Sequence, residues 1–156
     1  KQEAAVFERM PKVSILVPLW NTPESFLTEM IGSVQWQTYK NWELCLADGS
    51  DDAHAYVGEY CKRLAAEDSR IVYQKLAKNE GISGNTNECY KMATGNYIAL
   101  FDHDDLLHPC VLFAYMQAIC EKYTTSVKAY LLIPLVGSLF ADFINSLVIT
   151  FFINLI

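Results

Sequence analysis

Apolar and polar positions fall along residues 11–122 in short blocks whose periods separate strands from helices. Val13 to Leu19 (Val-Ser-Ile-Leu-Val-Pro-Leu) is a β-rich apolar run of buried-strand length. Asn21-Thr22-Pro23-Glu24 then opens a helix, with Thr22 as N-cap, Pro23 at the first helical position and Glu24 at the positive helix end. Phe26, Leu27, Met30, Ile31 and Val34 recur after it at helical spacing. Trp42 to Ala47 is a second strand, ended by the polar turn Asp48-Gly49-Ser50-Asp51-Asp52. A helix over about 53–67 follows, then the short strand Ile71-Val72-Tyr73. Asn79 to Gly84 is a loop leading into a helix over about 84–93. Asn96 to Phe101 is a fourth strand that stops at Asp102-His103-Asp104-Asp105, and Pro109 opens a last helix to about Lys122. Strand and helix thus alternate four times with short links. The expected fold class is α/β: a Rossmann-like, open, mostly parallel sheet with helices on both faces.

Residues 129–156 break this pattern. They hold one charged side chain, Asp142, and are interrupted by Pro134, Gly137 and Asn145. The expected division is a domain over 1–124 followed by an apolar helical tail over 125–156. The tail is long enough to span a bilayer, which takes about 20 residues. A pair of buried amphipathic helices divided at Pro134 and Gly137, or a truncated non-native end, accounts for it equally.

The chain has 156 residues, enough for one domain with a real core. It carries 12 Lys+Arg against 18 Asp+Glu, and all of these except Asp142 lie in residues 1–128. An acidic body argues against a nucleic-acid binder that works by neutralising phosphates, yet permits a nucleotide held through a divalent cation. Five cysteines without a C-x-x-C pair argue against a disulfide framework or zinc site. Reduced thiols and a start without an apolar signal segment point to the cytoplasm.

In an open parallel sheet, ligands bind beyond the carboxyl ends of the strands, where strand order reverses. Three polar clusters fall at strand ends: Pro18 to Asn21, Asp48 to Asp52, and Asp102 to Asp105. Three carboxylates within four residues repel one another, and Mg²⁺ or Mn²⁺ with oxygen ligands is the natural relief. A solvated acidic turn is the plainer account of the same residues. Asp48 is placed to accept hydrogen bonds from a base or ribose, or else simply to shape a turn. Asn79 to Asn87 offers backbone N–H groups at a helix N-terminus, but its glycines match neither a Walker A nor a G-x-G-x-x-G pattern. Trp20 and Trp36 are expected to pack rather than to face a ligand, and no Ser-His-Asp or Cys-His grouping suggests a nucleophile.

Val13-Ser14-Ile15-Leu16-Val17-Pro18-Leu19-Trp20-Asn21, Ala47-Asp48-Gly49-Ser50-Asp51-Asp52, Asn79-Glu80-Gly81 and Gly95 through Asp105, in that order, resemble the family 2 glycosyltransferases over about residues 11–122. The resemblance implies the A-type glycosyltransferase fold and an inverting transferase that uses a nucleotide-diphosphate sugar, UDP-linked in the first instance. It implies a D-x-D site for Mn²⁺ or Mg²⁺, and a glycan or lipid-linked acceptor in polysaccharide assembly. Carried over by position, Pro18, Leu19 and Asn21 line the nucleotide pocket, and Asp48 bonds the base or ribose. Asn79, Gly81 and Asn85 shape the pocket wall. Asp102 lies near ribose and metal, Asp104 is the principal metal ligand, and Asp105 fixes the turn. Where the family often has Arg beside the Asn after the glycine loop, this chain has Asn85-Thr86-Asn87. The family also continues past the D-x-D into an acceptor-binding half that supplies the catalytic base; the apolar tail stands in its place, and no base is assigned. Two other readings compete: a non-catalytic module that keeps the fold, and a phosphatase of the haloacid dehalogenase type. The latter carries its Asp-x-Asp after the first strand, not the fourth.

Overall fold

The computed structural model describes residues 10–122, those at 121–122 as backbone alone, together with the backbone of 129–132 and 150–153. Ten elements follow one another: β1 (Val13–Leu19), α1 (Glu24–Gln35), β2 (Trp42–Asp48), α2 (Ala55–Glu67), β3 (Ile71–Lys75), α3 (Gly81–Met92), β4 (Tyr97–Leu100), α4 (Val111–Lys122), β5 (Ala129–Leu132) and β6 (Thr150–Ile153). A single 3₁₀ turn, Asp52–His54, leads into α2.

β1 to β4 form one wholly parallel sheet in the order β3-β2-β1-β4. The chain steps outward from β1 to β2 to β3, then returns across the sheet to β4. With right-handed crossovers, that reversal puts α3 on the face opposite α1 and α2. Packing agrees: Ile15, Val17 and Leu19 of β1 and Leu44 and Leu46 of β2 share a cluster with α1, α2 and α4. Leu16, Cys45, Ala47 and Ile98 pack instead with Cys89 and Met92 of α3. Because β1 and β2 are covered on both faces, their sequences run apolar without strict alternation.

The N-terminal edge of the sheet is closed by a buried polar knot. Glu43 accepts hydrogen bonds from Ser14 Oγ (2.5 Å), Thr94 N (2.5 Å) and Thr94 Oγ1 (2.9 Å) and pairs with the Lys12 ammonium. Gly95 N donates to Ser14 Oγ (2.8 Å), and a Cβ at residue 95 would lie 2.6–2.8 Å from Ser14 Oγ, Lys12 O and Ser14 N.

Several expected details shift. Pro23, not Thr22, caps α1, and no side chain bonds there. Thr22 is wholly buried, its carbonyl accepting from Tyr56 Oη (2.7 Å) while its own hydroxyl meets no partner. The helix expected from about residue 84 begins at Gly81. Trp36, expected in the core, is 77% exposed at the end of α1, whereas Trp42 is buried with the Arg70 guanidinium stacked on its ring. The expectation of a helical tail is not supported: its described parts, β5 and β6, pair antiparallel as strands. Short runs such as Phe151-Phe152-Ile153 are rich in the aromatic and β-branched residues that favour strands. Among the described residues no helix is long and apolar enough to cross a membrane. The rest of the tail, and the domain boundary expected near residue 124, lie outside the described residues.

Candidate donor-binding site

Strand register creates the cleft. β4 pairs only with Val13 to Leu16, so the last three residues of β1 run on beyond their β4 partner. Beside this overhang the chain turns through Asp102 to Asp105. The cleft so formed, about 400 Å³, is lined by Pro18, Leu19 and Trp20 after β1, by Asn79, Gly81, Ile82 and Asn85 at the start of α3, and by Asp102, His103 and Asp104 after β4. It lies at the switch in strand order, where an open α/β sheet binds its ligands.

Each wall has a local cause. Gly81 opens α3 at φ +76°, a left-handed conformation that suits glycine, and its N–H is capped by Asn79 Oδ1 (3.0 Å). Asn85, only 1% exposed, ties the wall together: its Oδ1 accepts from Glu80 N (3.0 Å), and its Nδ2 donates to Asn79 Oδ1 (3.0 Å) and to Leu19 O (3.4 Å). On the acidic side Asp102 and Asp104 are both exposed, and none of the ion pairs among the described residues involves either. Burial raises the Asp105 carboxyl above the usual range, and the neighbouring Asp104 and Asp102 charges push it the same way. The turn therefore gathers three acidic side chains, with His103 acting only weakly in the opposite direction.

Among the described residues no three potential ligands are gathered into a ready-made metal cage. Two exposed carboxylates opening on a cleft still fit a Mg²⁺-type ion, which takes one or two carboxylates and completes its shell with phosphate oxygens and water. A neighbouring cavity of about 300 Å³, lined by Gln74 to Lys78, Glu80 and Glu88, lacks this character, since Glu80 and Glu88 are paired with Lys78 and Lys91.

Seven of the residues singled out from sequence, Pro18, Leu19, Asn79, Gly81, Asn85, Asp102 and Asp104, meet in this one cleft. Asn21 and Asp48 stand behind it. Asn21, at φ +49°, donates its N–H to Ser50 Oγ (2.9 Å) and exchanges two side-chain bonds with Asp51. Asp48 is fully buried: Oδ1 accepts from Ser50 N (2.8 Å), and Oδ2 from Tyr73 Oη (2.8 Å) and Lys75 Nζ (3.2 Å). Burial by itself would raise its carboxyl, but the Ser50 hydroxyl and N–H, with Tyr73 and Lys75, outweigh it and hold the group below the usual range. Trp20, expected to pack, is 42% exposed on the cleft wall. Its place just past the inward-facing Leu19 was the available signal. Tyr73 and Lys75 were missed because only the β2–β3 register, which sets Lys75 opposite Asp48, brings them to that carboxylate.

The family profile described as Glycosyl transferase family 2 matches residues 14–130. The chain is 35% identical over 118 residues to the GalNAc(5)-diNAcBac-PP-undecaprenol beta-1,3-glucosyltransferase of Campylobacter jejuni, covering 73% of this chain and 36% of that protein. It is 41% identical over 99 residues to the UDP-Glc:alpha-D-GlcNAc-diphosphoundecaprenol beta-1,3-glucosyltransferase WfgD of Escherichia coli, covering 60% and 35%. Its fold matches S. aureus TarS 1-349 in complex with UDP at a TM-score of 0.62 and 24% identity, over 72% of this chain and 33% of that one. The chain thus spans little more than a third of the length of these relatives. By its motifs, its fold and this match, the chain belongs to glycosyltransferase family 2.

Proposed function

We propose that this chain carries the donor-binding part of a metal-dependent inverting glycosyltransferase. In this reading it takes a nucleotide-diphosphate sugar, UDP-linked, and serves transfer of the sugar to a glycan or lipid-linked acceptor. The setting is the cytoplasm, at the membrane face where the acceptor is lipid-linked, in assembly of a surface polysaccharide. The observation that carries the reading is the convergence of β1's overhang, the Asn79–Asn85 wall and two unpaired carboxylates on one cleft at the strand-order switch. The choice of a uridine nucleotide is supported by TarS, whose structures include complexes with UDP and UDP-GlcNAc. The lipid-linked acceptor is supported by two relatives whose names specify undecaprenol-linked substrates.

Asp104, with Asp102, would hold Mn²⁺ or Mg²⁺, which when bound offsets the charge that grows on the departing diphosphate. Pro18 and Leu19 form the floor for the nucleoside. The Asn79, Gly81 and Asn85 wall bounds it, and Asp102 reaches the ribose. A direct bond from Asp48 to base or ribose would be made by a carboxylate still held by Ser50, Tyr73 and Lys75.

Replacement of Asp104 by Ala tests the metal assignment. UDP affinity measured in Mn²⁺ is expected to fall at least roughly tenfold, toward the value measured in EDTA. An Asp104→Ala protein whose UDP binding kept its full dependence on Mn²⁺ would falsify it.

A further inference from the structure

Tyr73 and Lys75 line none of the donor cleft, yet both donate to the buried Asp48. The Lys75 ammonium also donates to Ser50 O (2.5 Å), so it fastens the end of β3 to the 48–50 turn. That turn supports both cleft walls. Gly49 N donates to Leu19 O (3.0 Å), and Ser50 Oγ accepts from Asn21 N, which steadies the overhang bearing Pro18 to Trp20. On its other side, Gly49 lies so close to Asn79 and Asn85 that a Cβ there would come within 2.9–3.0 Å of Asn85 Nδ2 and Asn79 Cα. A third element takes part. Gly58 sits inside α2, where glycine costs about 1 kcal/mol against alanine, and a Cβ at that position would lie 2.6 Å from Tyr73 Oη and 3.4 Å from Asp48 Oδ2. Only a bare Cα there leaves the Tyr73 hydroxyl room to reach the carboxylate.

We infer that Tyr73 and Lys75 are positioning residues for the donor site, acting through Asp48 and the 48–50 turn to set the spacing between the β1 overhang and the Asn79–Asn85 wall. The inference rests on the donor-site reading for its ligand, but not for its geometry. Removing Lys75 leaves Asp48 buried with one donor fewer and takes away the bond to Ser50 O, so the turn is held to β3 only through the Tyr73 hydroxyl and Leu76 N, and the support common to both walls loosens. Lys75→Arg keeps a cation within reach of Asp48 and preserves the support.

Two measurements on the full chain test this. The first needs no ligand: amide hydrogen exchange of Lys75→Met against the parent protein. Exchange at Asn21 and Ser50 is expected to speed up roughly tenfold while the β1 and β4 amides keep their protection, and Lys75→Arg should restore the parent rates. Unchanged exchange at Asn21 and Ser50 would overturn the inference, whatever the protein binds. The second is a double-mutant cycle on UDP affinity in Mn²⁺ with Asp48→Asn and Lys75→Met. Each single change is expected to weaken binding about tenfold and the pair no more than the worse single, because both act through the same 48–50 turn. Losses that multiply, or a Lys75→Met protein that binds as the parent does, would overturn it. Parent protein that binds no UDP removes the donor reading, and the exchange experiment then decides the inference alone.

Discussion

Gly95 has no room for a methyl group. A Cβ there would press on the backbone of residues 12 and 14 at 2.7–2.8 Å as well as on Ser14 Oγ, and backbone does not swing aside. Gly95→Ala is therefore expected to cost about 1–3 kcal/mol, the usual penalty for overpacking, seen as a lower urea midpoint with an unchanged slope. Glu43, in the same knot, gives a pH signature. Burial would raise its carboxyl, but the bonds from Lys12, Ser14 and Thr94 outweigh burial and hold it below the ordinary value. Its contribution to stability is complete above its unfolded pKa of about 4.3 and is lost as pH falls through the lower folded value. Urea titrations between pH 3 and 6 should show Glu43→Gln less stable than the parent at pH 6, with the difference narrowing as pH drops. A gap that widened toward acid would contradict the assigned sign. Neither residue was legible beforehand, since Ser14, Glu43 and Gly95 come together only through the register of β1 with β2 and the entry to β4.

Elements were legible to different degrees. β1 and β2 stand out because both are buried on two faces and end in abrupt polar turns, so apolar runs mark nearly their whole extent. α3 starts three residues before the expected position. Gly81 and Ser83 resemble loop residues, and the cap comes from Asn79, two positions earlier, so no local signal announces the first turn. Residue type and the following Pro23-Glu24 suggest Thr22 as a cap, whereas Tyr56 from α2 bonds its carbonyl and the residue is buried. The α3 entry is also where function and stability meet. Asn85→Ala would strip bonds from Asn79 Oδ1, Glu80 N and Leu19 O at a buried position. A stability loss of about 1–3 kcal/mol is expected in urea, with weaker UDP binding by calorimetry. An alanine variant of parental stability would mean that water replaces the side chain there.

At the scale of the whole molecule, alternating elements and three polar strand ends were enough to anticipate a parallel α/β sheet with one functional edge. The strand order was not so readable, and it matters: because β1 lies between β2 and β4, the Pro18–Trp20 and Asp102–Asp104 segments face one another. The Asp48 turn is set behind them as support. The resulting cleft has carboxylates without partners on one side and an amide-lined wall on the other, suited to a phosphate-bearing ligand bridged by a cation. The central claim is that this cleft binds a uridine nucleotide through a divalent metal. Calorimetric titration of UDP into the protein, first with Mn²⁺ and then with EDTA, tests it most directly. Saturable binding in Mn²⁺ that weakens at least roughly tenfold in EDTA is expected. Equal binding in the two conditions would contradict the metal site, and no binding in either would leave a family 2 fold without its donor site.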